Sequence, residues 1–419
     1  MVGSPYTVMS SALTSFKTFS SFFLVVAAAV AVGQAQGQRD PNFEGHPGVL
    51  LLNDKLQLTV LRLGSTMANL VLLDDPAKLS PLWNAPRLAR EAGRQDQATG
   101  GVLGHFVCVD GFGPSSVEEH AAGIPGHGEA HATNFDIVKY AARDSVSLTA
   151  KLPIVQEMFT RTFSIVKGEN VIYVDSLLEN LLGFDRPVNW AEHATVGAPF
   201  LEPGKVTIFL SGTRSQNRDY LREEAMARAN AGPSSNTPVN RGNTPQTQLR
   251  LVSGADFNWP LAPGLDGKPV DMSIIPENPH FLDHATTLMD PSRKLEWVAA
   301  FHREQHLLYG YVFRREDYWW LQHWGDYPSA RQVVRGMEFG TQPYDVPRRE
   351  AITLNSMFGT PTYRWLPAKS KIESHFLLFY IKVPEGLNQV DDIRLENGQL
   401  IIEDKVTKKQ LNLAASRGL

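Results

Sequence analysis

Leu56-Gln57-Leu58-Thr59-Val60-Leu61-Arg62-Leu63 sets apolar and polar residues in alternation, and after Gly64-Ser65-Thr66 the run Leu70-Val71-Leu72-Leu73 closes on Asp74-Asp75. A period of two sends successive side chains to opposite faces, so the stretch reads as two strands of a half-buried sheet joined by a turn. The signature recurs outward from it. Runs at Ser145 to Leu152, Met158 to Val166, Val171 to Leu178 and Val206 to Leu210 precede others at Trp297 to Phe301 and Leu307 to Phe313. Tyr318 to Trp324, Ile352 to Phe358 and His375 to Val383 follow. All are short, rich in β-branched and aromatic residues, and punctuated by Gly, Pro, Asn and Asp. Ile393 to Ile402 carries Asn397-Gly398 at its centre, the positive-φ pair of a type I′ hairpin turn. Asp219 to Ala229 is the best helix candidate and opens a polar insertion around 214–248, whose later part, Pro233 to Gln248, has no apolar period. The expected fold class is all-β, with two large antiparallel sheets packed face to face.

The 419 residues carry a net charge of −4, with a hydrophobic share of 42% and a charged share of 20%. That balance belongs to a globular chain, and without a concentrated Lys/Arg surface nucleic acid is not an expected partner. The N-terminus reads separately. Phe22 to Val32 is an apolar run of 11 residues, followed by Gly33-Gln34-Ala35 with small residues where a signal peptidase reads. It falls short of the roughly 20 apolar residues that cross a bilayer. Residues 1–35 are therefore expected to be a signal peptide and 36–419 a single secreted or periplasmic domain, with no membrane association after cleavage. N-terminal sequencing of the native protein should then begin near Gln36; an intact N-terminus on cytoplasmic protein would end this reading. Cys108 is the sole cysteine, so no intrachain disulfide can form.

Two histidine stretches and a late glutamate carry the chemistry. Gly123-Ile124-Pro125-Gly126-His127-Gly128-Glu129 puts a histidine between glycines, where a ligand can approach the backbone closely. Trp190-Ala191-Glu192-His193 sits in strand-like surroundings, and Gly336-Met337-Glu338-Phe339-Gly340 follows much later. Imidazoles and a tuned carboxylate move protons on and off oxygen near neutral pH, which suits acid-base chemistry on a neutral polyol. If Met337 and Phe339 pack between the sheets, Glu338 projects to the opposite face. The pairs His127/His131, His280/His284 and His302/His306 have i, i+4 spacing. On a strand that spacing is roughly 13 Å, too far to share one ion, so no metal site is expected from a pair alone. In Tyr318 to Trp324, alternation puts Tyr318, Trp320, Gln322 and Trp324 on one face, which either stacks on sugar or packs in the core.

The Gly123 to Glu129 segment, the His193 segment and the late glutamate together resemble the galactose mutarotase-like superfamily, especially aldose 1-epimerases and hexose-phosphate mutarotases. The likeness runs from about Leu50 to about Val383, and Leu61 to Leu70 is similar to the family's first strands. It implies a β-supersandwich and an aldose 1-epimerase that interconverts α and β anomers of a hexose, with no cofactor. It also implies His193 as proton donor to the ring oxygen, His127 as a sugar-holding histidine and Glu338 as the base; unchanged turnover in Glu338→Gln would move the base elsewhere, with Glu192 and Glu129 next in line. Asn84-Ala85-Pro86-Arg87 stands loosely where the family has Asn-Arg, which makes Arg87 a substrate-binding candidate beside Glu129, Trp190 and Trp320. Two other readings are a non-catalytic carbohydrate-binding protein of the same fold and a metal-dependent polysaccharide lyase or hydrolase. The expected partner in the first two is a hexose or oligosaccharide.

Overall fold

Alternation becomes sheet wherever the sequence displays it. A computed structural model describes residues 41–94, 103–231 and 248–419. Leu56–Leu61 and Met67–Leu72 pair antiparallel, and Leu56, Leu58 and Val60 enter the main core. They belong to a 13-stranded sheet that continues through His105–Val109, Trp190–Gly197, Trp320–Tyr327 and Phe281–Leu288. Val334–Gly336 and Glu338–Gly340 lie between the Trp190 and Trp320 strands and pair with both. A second, eight-stranded sheet is antiparallel throughout. It runs from Val206–Leu210 through Leu295–His302, Leu307–Arg314, Lys371–Lys382, Val171–Asn180, Glu157–Ile165 and Ser145–Leu152 to Asp136–Ala141. Side chains of both sheets share one large core, which is the expected two-sheet architecture. Asp40–Leu419 form one compact unit. The leader and most of Pro233 to Gln248 fall outside the described residues.

Other features refine the sequence reading. Asn397-Gly398 makes the two-residue turn between Val390–Glu396 and Gln399–Asp404, with φ of 51° and 75°. With Gln410–Ala414 these strands form a three-stranded sheet that shares a second apolar cluster with the eight-stranded sheet. Tyr220–Ala231 is helical, close to the expected span. Ile352 to Phe358 is not a strand: Arg348–Leu354 is a helix, and only Ser356–Met357 pairs as strand. The β-branched Ile352 and Thr353 sit in its last turns, where position in a capped turn outweighs their weak intrinsic preference.

One polar network lies between the sheets. Glu192 is fully buried yet accepts from Arg161 Nη2 (2.9 Å), His105 Nε2 (2.7 Å), Tyr318 Oη (3.0 Å) and Trp190 Nε1 (3.2 Å). Burial alone would raise its pKa; Arg161 and His105 outweigh that and hold it below the usual carboxylate value. A carboxylate so saturated is a structural anion of the core.

Candidate functional site

Register, rather than sequence proximity, assembles the site. Phe106 lies opposite His193, and Gln322 lies opposite Glu338. Glu192 pairs with Phe339 and Thr195 with Gly336, so His193 and Glu338 face each other between those pairs. Phe106, His193, Glu338 and Gln322 therefore form one row across four neighbouring strands. Trp324, two residues beyond Gln322, lies on the same face directly opposite His284. Met337 and Phe339 occupy the core on the other face, and Glu338 turns away from them. All six of these row and neighbour residues line a cavity of about 290 Å³.

Loops close the cavity over the row. His127 adopts φ 65° and is followed by Gly128 at 79°. A Cβ on Gly128 would stand 1.9 Å from Val109 O, so only glycine lets the loop lie against that strand. The His127 amide donates to Gly113 O at 2.7 Å, and Gly113 N–H donates to His127 Nδ1 at 3.3 Å. Nδ1 is thus an acceptor, and the neutral ring carries its proton on Nε2. Burial, helped by nearby His131, lowers the His127 pKa to about 3, so the ring is neutral at physiological pH. Trp83 N–H donates to Thr195 O at 3.0 Å, and its indole meets Trp324 edge-on with centroids 6.2 Å apart. With Phe106 these rings give the cavity an apolar wall.

His193 and Glu338 form its chemical centre. His193 Nε2 stands 3.4 Å from Glu338 Oε1. The ring stacks on Phe106 at 4.2 Å, and Nδ1 is 2.7 Å from Thr195 Oγ1. Glu338 Oε2 accepts from Gln322 Nε2 at 2.6 Å, whereas Oε1 makes no hydrogen bond. Gln322 Oε1 in turn accepts from the Asp345 amide at 2.6 Å. Burial, followed by the neighbouring imidazoles of His127 and His105, which would repel a second positive charge, pushes His193 well below its ordinary pKa. Burial, followed by Asp345, pushes Glu338 well above its own. Both shifts favour an uncharged pair holding one proton.

Three of the residues singled out from the sequence, His127, His193 and Glu338, meet at this cavity; four do not line it. Trp190 and Trp320 are core residues. The Trp190 ring packs edge-on against Phe159 and Tyr318, and Trp320 Nε1 donates to Pro361 O at 2.8 Å. Arg87 donates to Ala198 O and lies 3.4 Å from Glu91, while Asn84 Oδ1 caps the first turn of helix Ala85–Glu91. Glu129 accepts from the amides of Ile154 (3.0 Å) and Val155 (3.2 Å), which pins a turn. Trp83, Arg218 and Asp345 line the cavity and had no sequence signal, whereas Gln322 and Trp324 had been placed only on a strand face open to sugar or core, and His284 only in an i, i+4 pair. Gln322 and Trp324 share the parity of their strand's cavity face, a signal the alternation already contained. Among the described residues no group of three or more His, Cys, Asp or Glu side chains is placed to hold a metal ion.

Scans of the sequence against protein-family profiles and against curated proteins give no match. Solved structures do match. A protein of Synechocystis sp. PCC 6803 aligns at TM-score 0.51 and 12% identity, over 80% of this chain and 96% of its own. A candidate aldose 1-epimerase from Klebsiella pneumoniae aligns at 0.50 and 14%, over 78% of this chain and 76% of its own. A galactose mutarotase related enzyme from Lactobacillus acidophilus aligns at 0.50 and 10%, over 81% and 98%. At such identities the likeness establishes the fold, which is galactose mutarotase-like.

Proposed function

We propose that the chain is a cofactor-independent aldose 1-epimerase acting on an uncharged hexose. The observation that carries this reading is the His193–Glu338 pair, 3.4 Å apart on neighbouring strands and open to a cavity with aromatic walls. Anomer exchange needs two concerted proton movements. One partner removes the proton from the anomeric hydroxyl while the other delivers a proton to the ring oxygen. The C1–O5 bond then breaks to give the open-chain aldehyde, which turns about C1–C2 and recloses with the protons returned. The pair needs one proton in total and serves both directions of the reaction. The family resemblance makes His193 the donor and Glu338 the acceptor. Burial favours the proton on Glu338, so its transfer from Oε1 to Nε2 is what makes His193 the donor and Glu338 the acceptor. His127 Nε2–H, fixed by its loop, is a hydrogen-bond donor to the sugar. Export belongs to the same reading and rests on the Phe22 to Val32 run.

The test is polarimetry of freshly dissolved α-glucose and α-galactose near pH 7. Purified protein is expected to speed mutarotation in proportion to its concentration. Calorimetric sugar binding without acceleration would leave a carbohydrate-binding protein of the same fold, and neither effect would remove the sugar reading altogether.

A further inference from the structure

The cavity wall beyond Gln322 carries a second polar group that the proton chemistry does not use. His284 lies two strands across and two residues along from Glu338, about 12 Å between backbones at the usual strand spacing and rise, with Gln322 and Trp324 on the strand between. A single pyranose ring with its hydroxyls spans that interval. Behind the imidazole, Arg218 Nη1 donates to His284 Nδ1 at 3.0 Å, and Tyr220 Oη lies 3.2 Å from the same nitrogen. Guanidinium can only donate, so Nδ1 is an acceptor and the neutral ring holds its proton on Nε2. That Nε2 is buried and no well-formed hydrogen bond satisfies it within the protein, although the Gln322 side chain lies close enough to favour its proton. Asp345 Oδ1 is 3.3 Å away but poorly aligned with it. A buried orphan donor of this kind costs stability unless a ligand completes it.

We propose that His284 and Asp345 are a specificity-determining donor–acceptor pair that reads two neighbouring hydroxyls at the end of the sugar remote from the anomeric carbon. This deepens the epimerase reading and rests on it for the orientation of the sugar. His284 Nε2–H donates to one hydroxyl oxygen, and the Asp345 carboxylate accepts from the adjacent hydroxyl. Arg218 is the positioning residue: it fixes the His284 tautomer and also holds the Asp345 carboxylate. Its charge is already balanced, because Glu223 accepts from Nε at 2.8 Å in addition to Asp345. No other Lys or Arg lines the cavity among the described residues. The wall is therefore matched to a neutral diol and not to a phosphate or carboxylate.

The experiment is calorimetric binding of galactose, glucose and their 3-, 4- and 6-deoxy analogues to the wild type, His284→Leu and His284→Gln, with polarimetry run in parallel. Leucine removes the donor and is expected to weaken binding of the parent sugar roughly 10- to 100-fold, as loss of a buried hydrogen bond does. Glutamine retains an N–H donor and should recover part of that loss. For the deoxy sugar that lacks the hydroxyl read by His284, leucine should bring no further loss. Equal losses across the whole deoxy series, or unchanged affinity in His284→Leu, would overturn the proposal even where the wild type mutarotates. Binding with the expected deoxy pattern but no mutarotation would uphold the pair and remove the catalytic reading.

Discussion

Glu338→Gln is expected to abolish catalysed mutarotation while sugar binding survives. Glutamine matches glutamate in size, and its amide oxygen can keep the 2.6 Å contact with Gln322 Nε2. Its amide nitrogen then faces His193, so the shape of the wall is retained. What it cannot do is take up and release a proton, and a positioned acid or base contributes roughly 10²- to 10⁴-fold to rate. Polarimetry should therefore fall by at least the lower figure, with calorimetric affinity within a few-fold of wild type. Stability supplies an independent readout of opposite sign. The folded carboxyl holds its proton above the ordinary 4.5, chiefly because it is buried. The native state thus binds more protons than the unfolded chain once pH passes about 4.5, and stability falls as pH rises through that window. Glutamine has no such proton to lose. The Tm of Glu338→Gln relative to wild type should therefore climb between pH 5 and pH 8, and the gain should vanish near pH 4. A variant that keeps its turnover would move the base elsewhere. A Tm difference that does not depend on pH would show that burial does not perturb this carboxyl.

The architecture was legible because a period of two is written into each strand locally, and the site was legible only where parity could be applied. Residues an odd number apart on one strand face opposite sides. Trp190 and His193 are three apart, and the structure sends the indole into the core and the imidazole to the cavity. The same arithmetic separates Glu192, which is locked by Arg161 and His105 between the sheets, from its neighbour His193. Parity also groups Trp320 with Gln322 and Trp324, but it says nothing about what covers each position. Trp320 lies at the strand's end beneath Phe358 and Pro361, whereas Trp324 opens to the cavity. The Asn84 to Arg87 segment looked like a ligand motif and is a helix cap, since one short polar side chain serves either purpose. Arg218, His284 and Asp345 come from three segments that only tertiary pairing brings together. Nothing local in the sequence marks that meeting.

His193→Ala is expected to lower the mutarotation rate by at least 10²-fold, with a folded protein and a remedy in solution. The ring is held by packing more than by hydrogen bonding. It stacks on Phe106 at 4.2 Å, meets His127 edge-on at 5.1 Å and contacts Thr195 Oγ1 at 2.7 Å. Alanine removes these contacts without stranding a buried charge, because burial keeps the imidazole neutral. It also leaves an imidazole-shaped space between Phe106 and Glu338. Free imidazole should enter that space and restore a saturable part of the rate, measured above the catalysis imidazole gives without enzyme. A purely structural role for His193 would give no such rescue. Glu338→Gln, which has no space to fill, should show none either, and the double variant should be no slower than the worse single one, as expected when two groups act on one shared proton. Near-wild-type turnover in His193→Ala would take the residue out of the mechanism and leave His127 as the imidazole nearest the sugar.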